Sequence, residues 1–90
     1  MAHTIKATPP QLRASANAID ANAQAIQQEV SAVRSALDQL RTSFIGNRAS
    51  RFYQQFDQAY SDMQQWDDIV RSFAEEMRIA ANRIEAADNS

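Results

Sequence analysis

The chain has no cysteine, and among its 90 residues only one glycine, one histidine and two prolines. Without cysteine it can form no disulfide and no thiolate metal site, and thiol catalysis is excluded. No stretch approaches the ~20 consecutive apolar residues of a membrane-spanning helix. The N-terminal residues Met1 to Pro10 contain no apolar run of the signal-peptide kind. If the protein is exported, the expectation is export without a cleaved leader. Basic excess is also missing: the formal net charge is -2 and the pI about 5.2. That gives no footing for a nucleic-acid partner, which needs a basic surface.

Catalytic groups are equally sparse. His3 is the lone histidine and lies in an extended lead-in over residues 1–7. It reads as a solvated residue, not as a base or ligand. Asp67-Asp68 and Glu75-Glu76 are adjacent pairs, so on a helix their side chains diverge. No metal-ligand spacing and no nucleophile–base arrangement is present. The expectation is therefore no enzyme, no cofactor and no metal.

What remains is helix. Thr8-Pro9-Pro10-Gln11 is a start signal: Thr8 as N-cap, Pro9 in the first turn, and Gln11 placed to complete a capping box. From there apolar residues recur at Leu12, Ala16, Ile19, Ala23, Ile26, Val30, Val33, Leu37, Leu40 and Phe44. The alternating spacing of four and three is a heptad seam and predicts a helix over about 9–43. A second seam runs Ala49, Phe52, Phe56, Ala59, Met63, Trp66, Val70, Phe73, Met77, Ala80, Ile84 and Ala87, predicting a helix over about 48–86. Between them lies Phe44-Ile45-Gly46-Asn47, the expected turn, with Gly46 ending the first helix and Asn47 capping the second. The organisation expected is one domain over residues 1–90, with a short tail at 87–90.

Folded at Gly46, the seams align. A residue-number sum of 92 or 93 pairs Leu40 with Phe52, Leu37 with Phe56, Val33 with Ala59, Val30 with Met63 and Ile26 with Trp66. It goes on to pair Ala23 with Val70, Ile19 with Phe73, Ala16 with Met77 and Leu12 with Ala80. Ile84 is left over, and Ile5 of the lead-in is placed to cover it. Arms of about 50 Å cannot form a compact domain. One partner helix cannot shelter Phe52, Phe56, Trp66 and Phe73. The fold expected is thus all-α, an antiparallel two-helix hairpin that pairs into an elongated four-helix bundle. Its hairpin and dimer core would be Ile19, Ile26, Val30, Val33, Leu37, Leu40, Phe52, Phe56, Met63, Trp66, Val70, Phe73 and Met77.

Several residues have two readings. Tyr53 and Tyr60, one heptad apart on the flank of the seam, are assigned to dimer contacts. The alanines at 14, 18, 21, 25 and 32 form a second stripe, read chiefly as helix-forming residues. Phe44 is placed to close the last layer against Ala49 and Phe52, and Ile45 to point outward as an apolar feature for a partner. Residues 1–46 carry a net charge of +1 and residues 47–90 a net of -3. Pairing of the first helix with the second across a dimer is mildly favoured.

Taken together, Ile5-x-x-Thr8-Pro9-x-x-Leu12, a heptad helix, the aromatic-x-Gly turn at Phe44-Ile45-Gly46 and a second heptad helix resemble the WXG superfamily. These are the leaderless proteins of the early secreted antigenic target type, exported by type VII secretion systems. The strongest local block is Phe44 to Phe56, and the resemblance spans essentially the whole chain. It implies a helical hairpin that forms a homodimer or pairs with a paralogous hairpin and is recognised by a type VII secretion ATPase. Two departures stand out. The family's turn tryptophan is Phe44 here, which lacks the indole N–H. The last twenty residues also contain no tyrosine to begin a Tyr-x-x-x-Asp/Glu export element. Tyr53-x-x-x-Asp57 fits those letters only in the first turns of the second helix. The function expected is a secreted or co-secreted protein acting through protein–protein contacts. The alternative is a non-secreted helical-hairpin adaptor.

Overall fold

A computed structural model describes residues 6–89. His3 and Ile5, and with them the expected cover over Ile84, lie outside the described residues. The chain forms two helices, α1 (Pro9–Leu40) and α2 (Asn47–Asp88), packed as an antiparallel hairpin. Its extents are 65 × 26 × 15 Å and its radius of gyration 19.8 Å, where a compact chain of this length has about 12 Å.

Both ends of α1 follow from local chemistry. Thr8 accepts from the Gln11 backbone N–H at 3.3 Å, and the Gln11 side chain accepts from the Thr8 N–H at 2.9 Å. This closes a capping box with Pro9 and Pro10 in the first turn, where a missing N–H removes no helical bond. Regular α1 ends at Leu40, three residues earlier than the heptad pattern suggests. Beyond it, the amides of Ser43 and Phe44 both donate to the Leu40 carbonyl, at 3.0 and 2.7 Å. The Thr42 hydroxyl turns back to the Gln39 carbonyl at 3.4 Å, competing with helix continuation.

Gly46 acts differently from the expectation. It does not end α1; it is the N-cap of α2, at φ 130° and ψ 175°. Only glycine adopts that backbone readily. Asn47 is the first residue of α2 and makes no cap, so its expected capping role is corrected. The Gly46 carbonyl instead accepts the Ser50 amide at 2.9 Å.

Two packed helices have one line of contact, and only side chains on it are buried. The buried residues described are Ala16, Ala23, Ala49, Tyr53, Ala74 and Ala81. Small side chains let helix axes approach closely. With alanine at 16, 23, 74 and 81 the arms come together on these positions, and bulkier groups move to the flanks. In α2 the buried line therefore runs through Tyr53, Ala74 and Ala81. The predicted column one residue earlier, holding Phe52, Trp66 and Phe73, is exposed. A shift of one residue turns the helix by about 100°. None of the thirteen predicted core residues is fully buried in the hairpin. Ile19, Ile26, Val30, Leu37, Phe56, Met63, Val70 and Met77 are half-buried, and Val33, Leu40, Phe52, Trp66 and Phe73 are exposed. The alanines at 14, 18, 21, 25 and 32 are exposed too.

Substituting Gly46 tests the turn cleanly. A Cβ there meets nothing within 4 Å, so any penalty comes from the backbone alone. Gly46→Ala is expected to destabilise the protein by about 1–3 kcal/mol, measured by urea unfolding. An unchanged midpoint would mean that the turn relaxes without strain.

Candidate functional site

The two long edges of the hairpin differ in chemistry. One edge is polar and bonded across the arms. On α1, every seventh residue from Arg13 to Arg41 takes part. Arg13 bonds to Asn82 at 2.9 Å and pairs with Glu85. Arg78 of α2 donates to Asp20 at 2.7 Å and to Asn17 at 3.0 Å. Gln64 donates to the Gln27 side-chain oxygen at 2.8 Å, while the Gln27 side-chain nitrogen is buried without a protein partner. The guanidinium of Arg34 lies 4.3 Å from the Tyr60 ring centre. Arg41 ends the column: it pairs with Asp57 at 2.7 Å and Asp38 at 3.1 Å, and lies 4.7 Å from the Tyr53 ring centre.

These cross-arm partners have residue-number sums from 91 to 98, bracketing the 92–93 of the seam alignment. The polar column went unread in the sequence, although Arg13, Asp20, Gln27, Arg34 and Arg41 repeat at seven residues beside the apolar seam. That repeat is the signal that would have found it.

The opposite edge is apolar and open. Ile26 and Val33 of α1 line a groove with Ala59 and Trp66 of α2, and Leu40, Phe52 and Phe73 also stand exposed. Phe73 is 54% exposed and Trp66 42%. Val30, Val33, Phe56, Ala59 and Met63 line one hollow in this groove, of about 290 Å³. Ile26, Ala59, Met63 and Trp66 line the next. Ala59 is thus a notch between Phe52 and Trp66. Contiguous apolar surface of this kind, rimmed by charge, is the mark of an interaction face.

The tip is the second feature. Phe44 is 61% exposed and Ile45 76%. The Phe44 side chain stands largely in solvent, and its backbone is what is held. The Tyr53 hydroxyl donates to the Phe44 carbonyl at 2.8 Å. Tyr53 is buried between the arms, and Tyr60 is half-buried under Arg34, so Tyr53 in particular is not the dimer contact expected of it. Once the core selects alanines, Tyr53 is the one large side chain inside, and its hydroxyl finds the carbonyl left free by the end of α1.

Among the described residues, no group of three or more His, Cys, Asp or Glu side chains could hold a metal ion. Among them too, no helix is long and apolar enough to cross a membrane.

A hairpin of two long helices with a tight aromatic-x-Gly tip can be compared with known proteins. Residues 4–89 match the family profile described as WXG100, proteins of 100 residues with WXG. The chain belongs to the WXG100 family. Its fold is shared with a secreted protein, EsxB, from Bacillus anthracis str. Sterne. The wild-type EsxB structure superposes with a TM-score of 0.82 at 23% identity, covering 96% of this chain and 99% of that one. A selenomethionine form of EsxB gives 0.83 at 22%, covering 97% and 99%. No curated protein matches the chain. The likeness to EsxB is one of fold, an antiparallel helical hairpin over the full length.

Two substitutions probe the geometry of the site. Tyr53→Phe removes the bond to the Phe44 carbonyl and is expected to lower stability by about 0.5–1.5 kcal/mol, read by thermal or urea unfolding; no loss would show that the bond is not holding the tip. The hydrogen bond from Arg13, reinforced by its charge, holds the Glu85 carboxyl below its ordinary range. Glu85 therefore adds stability above the usual carboxylate range, and that contribution disappears as pH falls through its lowered value. In Glu85→Gln the dependence of stability on pH in the acid limb should flatten. An identical slope in wild type and variant would remove the pair from the folded-state energetics.

Proposed function

We propose that this WXG100 protein is a secreted or co-secreted protein of a type VII secretion system, made in the cytoplasm and exported without a cleaved signal peptide. It acts by pairing with another hairpin, a second copy or a paralogue, into an elongated four-helix bundle. The observation that carries the reading is the apolar edge, where Val33, Leu40, Phe52, Trp66 and Phe73 stand exposed on a chain with no interior to receive them. Burying that edge on a second hairpin gains roughly 25 cal/mol for each Å² of apolar area removed from water. A secretion ATPase then recognises the folded pair, with the tip as part of its surface. In this reading Phe44-Ile45-Gly46 takes the place of the family's Trp-x-Gly, and the outward Phe44 and Ile45 supply apolar contact where an indole N–H is missing. No step calls for catalysis, a cofactor, nucleic acid or a membrane span.

The test is export from a producing strain. Protein should appear in the culture supernatant, and should be retained in cells when the type VII secretion ATPase gene is deleted. Trp66→Glu, which would bury an unpaired charge in the bundle, should abolish pairing and export together. Undiminished export without the ATPase sinks the secretion reading. A chain that never leaves the cell favours the adaptor.

A further inference from the structure

The tip carries a charge pattern that the hairpin itself leaves unused. Residues 34–57 hold four arginines against two aspartates, a net of +2, while the rest of a chain of total charge -2 sums to -4. Two of those arginines are engaged within the hairpin. Arg34 lies over the Tyr60 ring, and Arg41 is matched by Asp38 and Asp57. Arg48 and Arg51 are exposed and take part in no ion pair among the described residues. Standing three residues apart on α2, they are neighbours on one helix face. Helix stability does not call for them. Positive charge at Arg48, in the first turn of α2, opposes the macrodipole, and no acidic residue offsets it there.

Beside these two arginines stand Phe44 and Ile45, 61% and 76% exposed. On a loose loop such side chains would turn in toward apolar cover. The backbone opposes that. The Phe44 N–H donates to the Leu40 carbonyl at 2.7 Å, and its carbonyl accepts from the Tyr53 hydroxyl at 2.8 Å. Both main-chain polar groups of Phe44 are bonded toward the hairpin, and its side chain is left outside. Tyr53 is fixed in turn by the Arg41 guanidinium, 4.7 Å from its ring centre. Arg41 is gripped by Asp57. The letters Tyr53-x-x-x-Asp57 are thus taken up by contacts that hold the tip.

We infer that the tip is a rigid apolar knob in a basic collar, and that it fits a protein socket of complementary make: an apolar pocket for Phe44 and Ile45, rimmed by carboxylates that meet Arg48 and Arg51. This rests on the reading that a secretion ATPase recognises the tip, and it specifies the chemistry of the ATPase surface. Aromatic anchors seated in desolvated pockets carry much of the binding energy at protein interfaces. Complementary charge around them governs encounter and partner choice. A knob already held in one conformation loses little entropy when it is seated. An anionic membrane is a poorer match. Helices that lie on lipid bury a long apolar face, whereas this knob is two side chains at a turn.

The test is binding to detergent-solubilised, full-length type VII secretion ATPase, at low and high salt. The full chain carries one dye on Asn89→Cys, at the end away from the tip, with no other cysteine to react. Affinity should fall as salt rises. Phe44→Ala and Ile45→Ala should each weaken binding about tenfold or more and keep the salt dependence. Arg48→Gln with Arg51→Gln should slow association and remove most of the salt dependence. Tyr53→Phe, which loosens the knob without touching a partner, should weaken binding about threefold with the salt dependence unchanged. Helical content of every variant is checked by circular dichroism. ATPase binding that ignores the paired arginine substitutions at every salt concentration overturns the carboxylate rim. Binding that ignores Phe44→Ala and Ile45→Ala overturns the knob. Either result leaves the secretion reading standing. Equally tight binding of the wild-type chain to phosphatidylcholine–phosphatidylglycerol vesicles, lost in the same variants, overturns the protein socket in favour of a lipid surface. No ATPase binding by the wild-type chain at any salt concentration strikes the recognition reading and the socket together.

Discussion

Two helices packed side by side share a single line of contact, and nothing lies behind it. Every other property of this protein follows from how that narrow line is filled. Alanine occupies most of it, at 16, 23, 49, 74 and 81, with Tyr53 as the one large exception. Close approach on alanine leaves no room for the phenylalanines and the tryptophan, which are carried on the flank. The hairpin is thus held by backbone proximity and a polar edge, while Val33, Leu40, Phe52, Trp66 and Phe73 stand exposed outside its core.

The two edges consequently have separate tasks. Polar contacts join the arms where Arg13, Asp20, Gln27, Arg34 and Arg41 reach α2. Exposed ion pairs of this kind contribute little to net stability. Their value lies in register: a slip of one residue would part Arg78 from Asp20 and Arg41 from Asp57 together. Among the described residues the apolar edge has no such polar partners, and Val33, Leu40, Phe52, Trp66 and Phe73 stand exposed on it. At the tip the same division recurs, with Tyr53 and Arg41 fixing the backbone inside and Phe44 and Ile45 held out.

Much of this was legible in the sequence. Heptad spacing and the Thr8-Pro9-Pro10-Gln11 start lead to an antiparallel hairpin with α1 and α2 close to their observed limits. The alternation of fours and threes cannot say which of two adjacent columns faces the sister helix and which faces a neighbour, because both are apolar. Counting Phe52, Trp66 and Phe73 as core treated the strongest hydrophobes as the innermost. In a pair of helices the smallest side chains go innermost, because they allow the closest approach. Tyr53 was misplaced for the same reason, and its bond to the Phe44 carbonyl depends on where α1 stops, which the seam overran. Gly46 was rightly singled out, but its backbone belongs to the start of α2, so Asn47 had no cap to make.

A core of alanines cannot by itself stabilise a hairpin 65 Å long. Small domains are marginal because they bury too little of their surface, and among the described residues no large side chain is completely buried. If the apolar edge is covered by another hairpin, that contact becomes part of the folding free energy, and stability comes to depend on protein concentration. Pairing is then the condition under which the chain is well folded, more than a later event in its life. A secretion apparatus that engages the tip of a folded hairpin would on this account meet a pair.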